Sequence, residues 1–140
     1  PFMHGMAKYT WFGAIGVQIS WDNFFPEGSR LLALMGAEVI FAPMSASVEA
    51  SHPKWERAIV ANAVCNGCFV FRVNRVEGQD DLPFYGKSFC ADPNGDFVVE
   101  PSGAGEGVIL TEIDTRWVKA VREVWPFLQD RRPGLYKELA

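Results

Sequence analysis

Ser20 closes a short β-branched run, Gly13 to Ser20, and is followed by an aromatic residue, an acid and the pair Pro26-Glu27. A strand-to-helix corner of this kind exposes a side chain at the carboxyl edge of a sheet and leaves backbone N–H groups free to hold an oxyanion. That is where a nucleophile sits; the local alternative is a serine that merely begins the turn. No Gly-x-Ser-x-Gly elbow surrounds it, so the α/β-hydrolase template does not apply. The other reactive groups read more plainly. Cys65-Asn-Gly-Cys68 has redox or metal spacing, but it straddles a helix stop and an apolar strand and offers too few ligands for zinc, which favours core packing. His4, His52 and Cys90 are joined by no spacing, and the histidines suit surface or capping roles. Gly103 to Gly107 lacks the Gly-Lys-Ser/Thr of a phosphate loop and reads as a flexible hairpin connection. The pairs Glu112/Asp114 and Asp80/Asp81 lie in or beside turns and caps as solvated charges. Neither a metal nor a cofactor is expected.

The elements that must position Ser20 follow from the pattern around it. Pro26 and Glu27 suit a first helical turn and Gly36 follows the last apolar residue, so a helix runs from Pro26 toward Gly36. Ala37 to Pro43 is a continuous apolar run too short for a helix, the pattern of a strand covered on both faces. Strand, corner, helix and strand make a β-α-β unit. Ser51 reads as an N-cap and Pro53 as first-turn proline of a second helix, with Trp55, Ala58, Ile59 and Ala61 at helical spacing and Asn66-Gly67 as its stop. Cys68 to Asn74 is another strand. Lys87 to Asp114 alternates strands with turn signals at Pro93 to Asp96 and Ser102 to Gly107, an antiparallel meander. Asp114 caps a helix through Val124. The extended tail from Trp125 carries Trp125, Phe127, Leu135 and Tyr136, which need something to pack on.

Composition bounds the whole. A chain of 140 residues, 49% hydrophobic, holds one core and is too short for two ordinary domains. Net charge is −4, with Lys and Arg scattered, so nucleic acid and anionic membranes are poor partners. Apolar runs are shorter than a bilayer span, and the first residues lack the order of a signal peptide. Three cysteines without repeated spacing fit a reducing compartment, and the expected address is the cytoplasm.

The stretch IGVQISWDNFFPEGSRLLALMGAEVIFAP resembles the nitrilase superfamily of carbon-nitrogen hydrolases, whose pattern is Gly-Val-x-Ile-Cys-x-Asp, Phe-Pro-Glu, Arg, then Gly-Ala-Glu and a Pro-ended strand. Only the cysteine is missing. The likeness continues through WERAIVANAVCNGCFVFRVNRV, FYGKSFCADPNGD and DTRWVKAVREVWPFLQDRRPGLY, covering about residues 14 to 136. Trp-Asp after the nucleophile position is closer to amidases and N-carbamoyl-amine hydrolases than to true nitrilases. The resemblance implies an α/β fold: the C-terminal half of a four-layer αββα sandwich, with residues 1–13 matching no placed motif, 14–124 the half-sandwich and 125–140 the tail.

It further implies that Ser20 occupies the nucleophilic cysteine position and that the Trp21 backbone N–H helps form the oxyanion hole. Asp22, Glu27 and Arg30 become structural polar residues that pair and cap around the helix start. Asn23, Phe24, Ser45 and Ala46 fall where relatives line the substrate pocket. Carbamoyl-amino-acid amidases place arginines at the first two of these, which Asn23 and Phe24 do not match. Glu49, in the following loop, either faces a cationic distal group of an amine-type substrate or is solvated.

In the family mechanism a Glu base takes the thiol proton, the thiolate attacks an amide or ureido carbon, a Lys stabilises the oxyanion, ammonia leaves and water hydrolyses the thioester. Both Glu and Lys belong to the N-terminal half of the family domain; Lys8, twelve residues before Ser20, is too close to be that lysine. A thiol near pKa 8.5 ionises readily, an alcohol does not, so Ser20 is a poor nucleophile. An introduced substitution is the preferred origin of the serine, and natural drift to an inactive relative is the rival. The expected function is hydrolysis of a non-peptide amide or N-carbamoyl amine, silenced here; the alternative is a non-catalytic binding or scaffold protein. A half-sandwich leaves apolar surface uncovered. A homo-oligomer is therefore expected, with the other half of the fold supplied by a missing segment or another chain.

Overall fold

The computed structural model describes residues 8–11, 13–77 and 82–139; His4, Asp80 and Asp81 lie outside them. Six strands form one mixed sheet in chain order: β1 (Lys8–Thr10), β2 (Gly13–Val17), β3 (Val39–Met44), β4 (Phe69–Asn74), β5 (Phe89–Ala91) and β6 (Phe97–Val99). β2, β3 and β4 are parallel, and the outer pairs are antiparallel. Two helices, α1 (Pro26–Leu34) and α2 (His52–Asn66), connect the parallel strands. Pro26 opens α1 with Glu27 in its first turn, where a missing N–H costs nothing and a carboxylate suits the helix dipole. Gly67 ends α2 at φ 54°, ψ 53°, a left-handed stop that returns its N–H to Ala63 and Val64.

Three local expectations are corrected. Ser51 is not a side-chain cap: its hydroxyl donates to the Val48 carbonyl, and a 3-10 turn, Glu49–Ser51, leads straight into α2. That turn already gives the Ser51 and His52 N–H groups backbone acceptors, so no cap is needed. The meander stops early. β5 and β6 pair around the Asp92–Asp96 turn, but residues 100–113 form no strand, and Val108 and Leu110 are 94% and 95% exposed. β-branched residues favour a strand only where a neighbouring edge accepts it, and none of the described residues does so here. Finally, β3 is covered on both faces only at its start. Ile40, Ala42 and Met44 pack under Leu32 of α1 and Trp55 and Ile59 of α2. On the opposite face Val39, Phe69 and Cys90 lie with Val118 of α3 (Arg116–Val124).

Further along that second face the described residues cover the sheet only in part. Val17 and Phe41 are register partners, and Val73 lies two residues beyond Phe71, the partner of Phe41; the three are 44%, 36% and 48% exposed, with Phe41 stacked on Phe71 at 5.2 Å. Complete burial of an exposed side chain of this kind is worth about 1.5–3 kcal/mol, and under half of that is still to be gained at each position, so the strip favours a covering layer. At the other end of α3, Trp125 stacks on Phe127 at 5.8 Å, while Leu135 and Tyr136 are exposed.

One buried cation organises the loop after β4. Arg72 is 1% exposed; it donates to the Gly86 carbonyl at 2.9 Å, the Lys87 carbonyl and the Tyr85 hydroxyl at 2.9 Å. Burial lowers its pKa, and these acceptors replace the water it has lost. Gly86 has φ +65°, and a Cβ there would meet the Gly103 carbonyl at 2.4 Å, so the close approach of the two loops requires glycine.

Candidate active site at the Ser20 corner

The strand leaving β2 does not run directly into α1 but turns through a 3-10 helix, Ser20–Phe24. Ser20 stands at its start with φ +46°, a left-handed conformation uncommon for a residue other than glycine. Such a backbone persists only where its surroundings over-determine it. Here Asn23 does so: its buried amide donates to the Gln18 carbonyl and to the Ser20 carbonyl, both at 2.9 Å. Asn62 of α2 donates to the Asn23 carbonyl at 2.9 Å, and Asn66 to the Asn62 carbonyl at 2.8 Å. Gln18, 4% exposed, binds from the strand side. It donates to the Asp22 and Phe25 carbonyls and accepts from the Ser29 hydroxyl at 2.8 Å, tying strand, corner and α1 together.

Trp21 follows Ser20 in the first turn, where amide groups have no intrahelical acceptor. Its N–H takes none among the described residues, whereas Asp22 already donates to Ile19 at 3.1 Å. Its ring is 66% exposed and meets Phe24 and Trp55 edge-on, at 5.2 and 6.1 Å. Phe24 turns inward against Trp55, 4.3 Å between centroids. Asn23 and Phe24 thus shape the corner from inside: one holds its backbone, the other roots it in the core.

The concavity that Ser20 lines lies at the carboxyl ends of the three parallel strands, with Pro43, Met44 and Ser45 at the end of β3 and Val73, Asn74 and Arg75 at the end of β4. Ser45 shares this concavity; Ala46 lies just behind it. The Ala46 N–H donates to the Asn74 Oδ1 at 2.8 Å, the Asn74 Nδ2 donates back to the Ala46 carbonyl at 3.1 Å, and also to the Gly86 carbonyl at 2.9 Å. Glu49 is elsewhere, in a neighbouring concavity with Ser47, Phe84, Tyr85 and Lys87. Sequence reasoning assigned no site role to Gln18, Asn62 or Asn74. A lone amide in the apolar run before Ser20 was the available signal for the first, and the Asn-Arg pair at the end of the fourth strand for the last.

The lining of the Ser20 concavity contains no histidine and no carboxylate, so among the described residues nothing there acts as a general base. Asp22, Glu27 and Arg30 do not pair: the ion pairs among the described residues are His52 with Glu56 and Asp114 with Arg116. The Arg30 Nη1 is buried without an acceptor among the described residues, and burial lowers the guanidinium's pKa. Asp114 receives the Arg116 N–H at 3.0 Å and three side-chain contacts, which hold its carboxyl below the usual range. It therefore caps α3 from just outside the helix.

Cys68 and Cys90 are buried thiols pushed up to about 12, chiefly by loss of solvent, while Cys65 is exposed. At pH 8 iodoacetamide is expected to label Cys65 alone of the three cysteines until the protein is unfolded, read by mass spectrometry; labelling of Cys68 or Cys90 in the native state contradicts the burial. Both thiols also favour the folded state below about pH 9 and lose that contribution as pH rises from there toward 12, because the unfolded chain ionises first.

Comparison with known proteins bears on the same corner. The family model for carbon-nitrogen hydrolases matches residues 5–123, reaching back into the first segment of the chain. An N-carbamoylputrescine amidase of Arabidopsis thaliana is 35% identical over 144 residues, covering 93% of this chain and 48% of that protein. A citrullinase of Francisella tularensis is 34% identical over 140 residues, covering 93% and 49%. Among solved structures, a carbon-nitrogen hydrolase from Helicobacter pylori superposes with a TM-score of 0.91 at 29% identity, over 99% of this chain and 53% of that one. The chain spans about half the length of the curated relatives it matches.

Proposed function

The chain belongs to the carbon-nitrogen hydrolase family, and from that we propose that the protein carrying it hydrolyses a non-peptide amide or an N-carbamoyl amine through a covalent intermediate at position 20, and that Ser20 silences this form. The carrying observation is the left-handed Ser20 at the carboxyl edge of the sheet, followed by a first-turn Trp21 N–H without an acceptor among the described residues. A nucleophile there attacks a carbonyl carbon, the Trp21 N–H receives the developing oxyanion, ammonia departs, and water releases the acyl group. The base and the cationic oxyanion partner come from polypeptide outside these residues. Both the amidase and the citrullinase named above act, by their names, on ureido compounds, which makes this class the first to assay. The test is ammonia release after Ser20→Cys in the full protein; no release from any ureido or simple amide substrate removes the proposal.

The fold supports a matching proposal for partners. The half-exposed strip of Val17, Phe41 and Val73 is covered by a second layer from another segment or another chain, and the protein is an oligomer in the cytoplasm, where its three thiols stay reduced. The 140 residues expressed alone are expected to associate in sedimentation velocity experiments. A compact monomer with a cooperative melt contradicts this.

A further inference from the structure

We propose that Arg122 of α3 is a positioning residue for the Ser20 corner, acting through a hydrogen-bonded chain of three asparagines. This deepens the hydrolase reading above, on which its kinetic consequence rests. The chain is continuous. The Ser20 carbonyl accepts from the Asn23 Nδ2 at 2.9 Å, the Asn23 carbonyl from the Asn62 Nδ2 at 2.9 Å, the Asn62 carbonyl from the Asn66 Nδ2 at 2.8 Å, and the Asn66 carbonyl from the Arg122 Nε at 3.1 Å. The Arg122 Nη2 donates at 2.7 Å to the Ala37 carbonyl, in the turn between α1 and β3. One guanidinium thus ties the end of α2 to the start of the next strand.

The role follows from what it costs to keep a cation there. Burial lowers the pKa of the Arg122 guanidinium, and the ion pairs among the described residues do not include it. Filling the same space needs only an apolar side chain, whereas a planar fork serves two carbonyls of different elements in one fixed geometry. The Asn66 carbonyl lies in the last turn of α2, where the helix supplies no N–H; the Gly67 and Cys68 amides return instead to the Val64 and Ala63 carbonyls. A positive charge at that end also suits the helix dipole. The stop itself makes room for it: a Cβ on Gly67 would stand 3.0 Å from the Arg122 Cγ.

The corner at the other end of the chain depends on such a hold. Ser20 keeps φ +46° because Asn23 grips its carbonyl, and the Asn23 main chain is in turn held by a side chain from α2. Without the fork, the Asn66 and Ala37 carbonyls lose their donor and the last turn of α2 loosens. Asn62, one turn back, then shifts against Asn23, and the backbone of Ser20 is no longer over-determined.

Native-state hydrogen exchange of the full protein with Ser20 in place, read by mass spectrometry, tests this directly. Arg122→Met keeps the stem beside Gly67 and removes the fork. It should speed exchange of the Asp22 and Phe25 amides, which donate to the Ile19 and Asp22 carbonyls, about tenfold, and leave the amides of β5 at the parent rate. Arg122→Lys, which serves one carbonyl at a time, should fall between the two. Acceleration confined to the end of α2 and to α3, or equal throughout the molecule, overturns the proposal. In the Ser20→Cys protein, Arg122→Met should lower kcat about tenfold without changing KM, since Arg122 lines no part of the Ser20 concavity, and should add no further loss to Asn62→Ala. Losses that multiply, or an unchanged kcat, also overturn it. A Ser20→Cys parent that releases no ammonia removes the hydrolase reading instead, and the exchange result then decides the role of Arg122 alone.

Discussion

Ser20→Cys in the full protein is expected to raise ammonia release from a ureido or amide substrate by on the order of 10³-fold or more over the Ser20 form. The size follows from what the side chain must do. A thiol with an ordinary pKa near 8.5 is drawn to thiolate by a neighbouring base and cation, and is then a strong nucleophile; an alcohol at the same place stays protonated. Removing the nucleophile of a covalent enzyme costs up to about 10⁶ in kcat, because the rest of the machinery acts only through it. The substitution is nearly isosteric and sits in a half-buried corner held by backbone acceptors, so Asn23, Gln18 and Asn62 keep their hydrogen bonds. Ammonia release is measured by a coupled assay, with circular dichroism and melting to show an unchanged fold. An increase below about tenfold across ureido and amide compounds would mean that position 20 is not the reacting atom's place.

Asn74→Ala should weaken both fold and site, by about 3 kcal/mol of stability and about 10²-fold in kcat/KM of the Ser20→Cys protein. Three backbone groups lose their partner at once: the Ala46 N–H, the Ala46 carbonyl and the Gly86 carbonyl. An unsatisfied buried group costs about 1–3 kcal/mol, and water reaches part of this rim, which sets the estimate near its lower bound. The kinetic loss is separate. Asn74 fixes the wall between the Ser20 concavity and the Glu49 concavity, and a displacement of about 1 Å in such a wall costs on the order of 10² in rate. Asn74→Asp keeps an acceptor for the Ala46 N–H but sets a carboxylate against two carbonyls, so it too should lose activity. Thermal melting and kcat/KM read the two effects; an Asn74→Ala protein that melts within a degree of the parent, with unaltered kinetics, refutes the clamp.

What could be read from the sequence was local. Pro26-Glu27, Gly67 and the apolar runs around Val39 and Phe69 carry their own stop and start chemistry, and the β-α-β units formed around them. Family likeness named the Ser20 corner for the same reason: its motif is contiguous. The features that hold the corner are contacts between distant residues. Asn62 reaches Asn23 across 39 positions and Asn74 reaches Ala46 across 28, and no periodicity in a single chain encodes such pairings. Residues 100–113 show the opposite failure, where strand-forming composition was legible but the edge it needed was not. Asn23 and Phe24 illustrate a third: the family likeness gives a position along the chain, whereas it is burial that turns their side chains toward the corner's interior.

The most direct measurement is peptide mass spectrometry of the full Ser20→Cys protein, quenched in acid during turnover of a ureido or amide substrate. A covalent intermediate adds the mass of the substrate's acyl or carbamoyl group, less one hydrogen, to the peptide that contains position 20, and the adduct disappears as substrate is exhausted. Its appearance there, and its absence from the Ser20 form, is the predicted result. Ammonia release with the adduct on another residue, or with none trapped while turnover proceeds under acyl-accumulating conditions, would contradict the assignment of position 20 as the nucleophile site.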